Sequence, residues 1–384
     1  MRIMSRRAFF PKIRHILYLA LFLPLLCSCG GGAGTCAVEG KPLVMHHSSL
    51  LSITDCDGYA VADVKNPWGS GLLARYLLVP NGGDLPDEMP AGVVIRTPLE
   101  RTVLFSGVHA TLFEELGVVP SVAGVCDARY IYSKGVSDGI AAGTVTDCGS
   151  SLNVNAEKVM QVSPDAIFVL PYENGGYGKL ETLPFPLVEC ADYMEASPLG
   201  CAEWIRFYGR LVGRAAESDS IFDAVCREYM SLCAAGGEQA SRMKLMCELK
   251  SSSAWYVPAG GSTMGRLYRD AGADYLFSSL GGSGSVPLSF EKVLSIASDA
   301  DVWLFKYNSP VDMTYASLLA DYAGYAHFRP FRERNVYACN THRRNLFEQA
   351  AFHPERLLRE LVALLNPSLV PGYEFLYYEK LREK

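Results

Sequence analysis

The chain has 384 residues and a formal net charge of −6 at pH 7, with 41 acidic and 35 basic side chains and 12 cysteines. That length allows more than one lobe. The acidic balance excludes nucleic acid, which needs a basic footprint. The cysteines show no CxxC pair and no Cys/His cluster at zinc spacing, so no metal centre is read from them.

Residues 1–14 carry Arg2, Arg6, Arg7, Lys12 and Arg14 and no acid, and Ile16–Leu26 is almost wholly apolar. This pattern predicts a secretory signal whose apolar run is too short to span a bilayer. It closes on Leu26-Cys27-Ser28-Cys29-Gly30, so residues 1–28 are similar to a bacterial lipoprotein signal, with Cys29 as the lipidated first residue. Ordinary cleavage leaving a free cysteine is the alternative. An acylated chain would be exported and held at the periplasmic side of the envelope without a spanning helix. Residues 29–58 are expected to form a tether, with His46-His47 lacking a second cluster to make a metal site. Residues 59–96 read as strand-like runs between Asn-Pro, Gly-Ser-Gly and Asn-Gly-Gly turns, a small antiparallel β appendage.

Beyond Pro98 strands and helices alternate, which predicts α/β architecture around a parallel sheet. Residues 97–214 form a first lobe, beginning with the strand TVLF and the helix ATLFEELG. Residues 215–235 lack a helix breaker and place Ile221, Phe222, Val225, Tyr229 and Leu232 on one stripe, predicting a long helix over residues 215–236. Residues 237–384 restart the α/β pattern as a second lobe. Each lobe contains one copy of the same unit. Asn155 or Ser289 caps a short helix beginning Glu-Lys-Val at Glu157 or Glu291, then a turn leads to a buried strand, AIFVL or VWLF. Cys126 and Cys148 flank strand ends and are a candidate bridge. Cys226 and Cys233 lie too far apart along their helix to bond each other.

These stretches, taken in order from about Thr97 to Pro367, resemble the helix-linked periplasmic binding proteins of ABC importers for iron-siderophore complexes, haem and cobalamin. The resemblance implies two Rossmann-like lobes joined by a single long α-helix, with a ligand between them; the β appendage departs from the minimal pattern. It also implies that Glu157 and Glu291 dock onto basic residues of the membrane permease, since each matches the glutamate that opens the repeated helix. The plain alternative is that each acid complements its helix dipole. A monomer with limited lobe closure is expected, because a stiff helix restricts hinge bending.

In open α/β sheets, ligands sit beyond the carboxyl ends of the strands. That rule nominates Ser106, His109, Tyr130 and Tyr132 in the first lobe. In the second it nominates Trp255, Tyr256, Lys306, Tyr307, His342, Arg343 and Arg344. Aromatic faces suit a macrocycle and arginines suit carboxylate or catecholate oxygens. His109 and Trp255 have competing structural readings, as a helix-start polar residue and a core plug. The ligand expected is a metal chelate, an iron-siderophore or haem, with a corrinoid as alternative and no resident cofactor. No G-x-S-x-G, Walker A, H-E-x-x-H or helix-opening G-x-G-x-x-G is present. A lipid-anchored enzyme would therefore need an unrecognised constellation.

Overall fold

The computed structural model describes residues 38–85, 89–237 and 242–383, all in one compact unit. The signal segment and Cys29 lie outside the described residues. The chain opens with five strands, β1 (Lys41–Leu43), β2 (Leu51–Asp55), β3 (Ala60–Lys65), β4 (Leu72–Pro80) and β5 (Val93–Thr97), paired in that order. Two expectations are corrected here. Strands β1 and β2 lie in the stretch expected as tether, and β4 pairs with β5 in parallel rather than antiparallel fashion.

The sheet begins early because carboxylates of the first lobe capture the connecting loop. Glu203 accepts hydrogen bonds from the N–H groups of His46 (3.0 Å) and His47 (2.8 Å). Glu195 accepts from those of Ser49 (2.9 Å) and Leu50 (3.0 Å) and from the Trp204 indole (3.0 Å). Two buried acids are thereby satisfied by donors that a free tether would leave to water. Leu51, Ile53, Tyr76 and Ile95 join the main apolar core, and Tyr76 stacks on Phe207. The Tyr76 hydroxyl donates to the Leu187 carbonyl and accepts from the Glu189 N–H at 2.7 Å, closing an otherwise open sheet edge.

The first lobe runs β6 (Thr102–Leu104), α1 (Gly107–Glu115), β7 (Val122–Val125), α2 (Lys134–Ala142) and β8 (Thr146–Asp147). The short hairpin β9 (Gly149–Ser150) and β10 (Asn153–Val154) then leads into α3 (Ala156–Val162). Strands β11 (Ala166–Val169) and β12 (Leu187–Glu189) and helices α4 (Pro198–Glu203) and α5 (Ile205–Leu211) complete the lobe. Its sheet is parallel, in the order β12-β11-β6-β7-β8. Cys126 and Cys148 follow the adjacent strands β7 and β8, both buried and both free, so the candidate bridge is not formed.

Helix α6 (Ala215–Gly237) buries Phe222, Val225, Tyr229 and Leu232 of the predicted stripe and leaves its first residue, Ile221, half-buried. Its 23 residues span about 35 Å. It packs on α5 and, in the second lobe, on α12, where Arg359 reaches Glu228 at 2.8 Å.

The second lobe contains β13 (Lys244–Cys247), β14 (Lys250–Ser251), β15 (Ala254–Pro258), α7 (Thr263–Asp270), β16 (Asp274–Tyr275) and β17 (Ser285–Leu288). Next come α8 (Phe290–Ala297), β18 (Val302–Tyr307), α9 (Tyr315–Asp321), α10 (Arg329–Arg332) and β19 (Val336–Asn340). Helices α11 (Leu346–Ala350) and α12 (Pro354–Leu365) precede a closing strand, β20 (Glu379–Lys380). The main sheet, β16-β13-β18-β19-β20, is parallel except for β20. The repeated units are α3–β11 and α8–β18. Asn155 accepts from the Lys158 N–H (3.0 Å) and Ser289 from the Lys292 N–H (3.2 Å), satisfying one orphan donor at each helix start.

Candidate functional site

A parallel sheet brings all its carboxyl-end loops to one edge. In the first lobe, β6 delivers Ser106, β7 delivers Tyr130 and Tyr132, and β11 delivers Tyr172. Ser106 is the N-cap of α1, its Oγ accepting from the Val108 N–H at 3.2 Å. Tyr130 and Tyr132 both remain accessible, at 51% and 37% exposure, and the Arg129 guanidinium lies 4.6 Å from the Tyr130 ring centre. A cavity of about 430 Å³ opens beside Phe105, Leu152, Leu170, Tyr172 and Tyr177. At its back the Tyr177 hydroxyl bonds the Glu189 carboxylate. Burial, and then the neighbouring carboxylate, push the Tyr177 pKa up, keeping the phenol neutral.

In the second lobe, Tyr256 and Lys306 line a cavity of about 390 Å³ with Glu248, Lys250 and Ser285. Lys306 is ion-paired with Glu248. Burial disfavours its ammonium form, but Tyr378 and Glu248 more than offset this and its pKa is raised. A smaller cavity of about 190 Å³ lies against Tyr307, Asn340, Arg343, Arg344 and Arg382. The Tyr307 hydroxyl accepts from the Met313 N–H at 2.9 Å. Arg343 bonds Asp312 (3.1 Å) and the Pro310 carbonyl (3.0 Å), and Arg344 pairs with Glu379. The two arginines therefore have the structural partners that their sequence context does not reveal. Each guanidinium carries five donors, so both keep capacity for a ligand. His342 is exposed, and its N–H caps onto the Asn340 side chain at 3.1 Å.

Two expected ligand residues belong to the core instead. His109 is 1% exposed, packed edge-on and tilted among Phe168, Tyr208 and Phe352, with Nε2 3.3 Å from the Tyr208 hydroxyl and 3.5 Å from Asp192. It lies two residues past the half-buried start of α1, on the inward face. Trp255 is fully buried against Trp303, Tyr325 and Phe328, and its indole N–H donates to the Cys247 carbonyl. The expected Trp255-Tyr256 loop is strand β15, paired with β17, so adjacent side chains point to opposite faces and only Tyr256 emerges.

Glu157 and Glu291 are both exposed in the first turns of α3 and α8. Hydrogen bonds from its own backbone N–H and from the Ser289 hydroxyl hold the Glu291 carboxyl below its ordinary pKa. Sequence reasoning missed Leu152, Tyr172 and Tyr177. Tyr172 was within reach of the strand-end rule, since it follows AIFVL almost directly. Glu348, which meets the first lobe from α11, carries no such signal.

Residues 103–341 match the family model described as periplasmic binding protein. An uncharacterized lipoprotein of Methanocaldococcus jannaschii is 26% identical over 298 residues, covering 75% of this chain and 70% of the relative. Among solved structures, the TroA-like periplasmic binding protein FepB from Veillonella parvula aligns at TM-score 0.56 and 16% identity, over 76% of this chain and 98% of that one. A periplasmic heme binding protein from Pseudomonas aeruginosa aligns at TM-score 0.56 and 17% identity, over 74% of this chain and all of that one (100%). At these identities the structural likeness speaks to fold.

Proposed function

Because the chain belongs to the periplasmic binding protein family, we propose that it is the lipid-anchored receptor of an ABC importer. It captures a metal chelate, an iron-siderophore or haem, between its lobes and hands it to the permease. Family members bind a ligand and deliver it rather than transform it. The Pseudomonas neighbour is named for haem and the Methanocaldococcus relative for its lipoprotein character, and both support the reading. No helix among the described residues is long and apolar enough to cross a membrane.

The observation that carries the reading is the duplicated acid. Glu157 and Glu291 occupy the same place in the repeated unit, each exposed just after a capping side chain. Two carboxylates on separate lobes give a basic platform both steering and register. Tyr130, Tyr132, Ser106, Tyr256, Lys306, Tyr307, His342, Arg343 and Arg344 remain the residues proposed to meet the ligand, joined by Tyr172. The reading is tested by Glu157→Arg combined with Glu291→Arg. Ligand affinity stays at the wild-type value while uptake in cells is abolished; normal uptake rejects the docking role. The visible spectrum of protein purified from its native host identifies the ligand, since haem, ferric catecholates and corrinoids absorb differently.

A further inference from the structure

Helix α1 lies at the seam between the lobes, and one stretch of the second lobe, residues 346–355, meets both of its ends. The Glu348 carboxylate lies beside Gly107 at the amino end, and it accepts from the Thr111 hydroxyl in the middle of α1 at 2.9 Å and from the N–H of Tyr132, outside the helix, at 3.2 Å. The approach is so close that a Cβ on residue 107 would lie 1.8 Å from Glu348 Oε1, so any larger residue there forces the carboxylate to move. At the carboxyl end, His353 Nε2 meets Glu115 of α1 at 2.7 Å, while Nδ1 meets Glu355 of α12 at 2.9 Å. Glu348 and His353 are 8% and 7% exposed, so water screens neither contact strongly. A neutral imidazole has a single N–H, and two carboxylate acceptors call for the doubly protonated ring. The second lobe therefore sets an anion at the positive pole of α1 and a cation at its negative pole, matching the helix dipole at both ends.

We propose that residues 346–355 are an interlobe latch that sets the opening between the lobes, with Glu348 and His353 as positioning residues at the two poles of α1. Neither residue lines the strand-end cavities, and the stretch follows directly on the Arg343-Arg344 loop. The latch stands on contacts within the ligand-free chain. Its consequence, that lobe angle tunes ligand affinity, rests on the receptor reading.

The latch can be broken from either side in the ligand-free, full-length protein. Gly107→Ala expels the carboxylate from the first lobe, and Glu348→Ala removes it from the second. In both variants the amides of Tyr132 and of α1 should exchange with deuterium at least about tenfold faster, while β11 and β18 keep wild-type rates. Small-angle scattering should show a wider spread of interlobe distances. Glu348→Gln, which keeps an acceptor oxygen for Thr111, should fall between. Wild-type exchange at Tyr132 and α1 in both alanine variants overturns the latch. So does acceleration spread evenly through both lobes, which would mark a general structural role. Neither readout involves ligand or permease, so failure here is separate from failure of the receptor reading.

Discussion

The two lobes carry the same strand-and-helix unit but build strand-end walls of different chemistry. The first presents aromatic surface, Tyr130, Tyr132 and Tyr172, with one guanidinium stacked on Tyr130. The second sets cations, Lys306, Arg343 and Arg344, each held by a carboxylate, beside Tyr256 and Tyr307. A shared backbone plan thus decides where a ligand can sit, and the side chains after each strand decide what it can be. An asymmetric ligand, apolar on one flank and acidic on the other, fits such a pair of walls in one orientation.

The largest effect that would sharpen this comparison separates the core of the second lobe from its wall. Trp255→Ala should cost about 3–5 kcal/mol in denaturant unfolding, through lost burial and the cavity left behind. Tyr256→Ala, one residue along the same strand, should leave stability within about 0.5 kcal/mol and act on ligand binding alone. Equal destabilisation by the two would contradict the alternation of β15.

A smaller effect sits at the seam. Burial opposes charge on His353, but hydrogen bonds and attraction from Glu115 and Glu355 prevail and raise its pKa to about 9. The charged groups facing it are Glu115 from α1 and Glu355 from α12, with Arg356 3.7 Å from the latter. A histidine whose folded pKa exceeds its unfolded value stabilises fully below about pH 6.5, and that contribution fades as pH climbs through about 9. The difference in unfolding free energy between the wild type and His353→Gln should narrow by on the order of 2–3 kcal/mol from pH 6 to pH 10, a comparison in which the buried cysteines, whose pKa values burial raises, cancel. A difference between the two proteins that does not change over that range would show the ring to be uncharged.

The smallest effect tests the second wall itself. Arg343→Ala with Arg344→Ala should weaken an anionic chelate at least about tenfold, roughly 1.4 kcal/mol, because guanidinium–carboxylate contacts are lost while Tyr130 and Tyr172 remain. An unchanged dissociation constant would remove both arginines from the site and leave the first wall to account for binding.

Much of this architecture is legible from periodicity. The strands at Thr102–Leu104, Ala166–Val169 and Val302–Tyr307, the long helix α6 and both capped repeats lie where apolar runs, stripes and capping residues place them. Local signals suffice there because a cap, a stripe or a fully apolar strand acts over a few residues. The tether region shows the limit. Leu51 and Ile53 alternate with polar neighbours, yet their strand is held by Glu195 and Glu203, which lie far along the chain.

The amino-acid sequence by itself determined the α/β class, the duplicated unit and the positions of Glu157 and Glu291, since these follow from short-range pattern. Only the tertiary structure decided that His109 and Trp255 turn inward, that Arg343 and Arg344 are paired, and that Glu348 reaches Thr111. The reason is geometric. A strand or helix fixes the spacing of its side chains, but which face meets the core, and which distant charge comes within hydrogen-bond reach, depends on how elements far apart in sequence pack together.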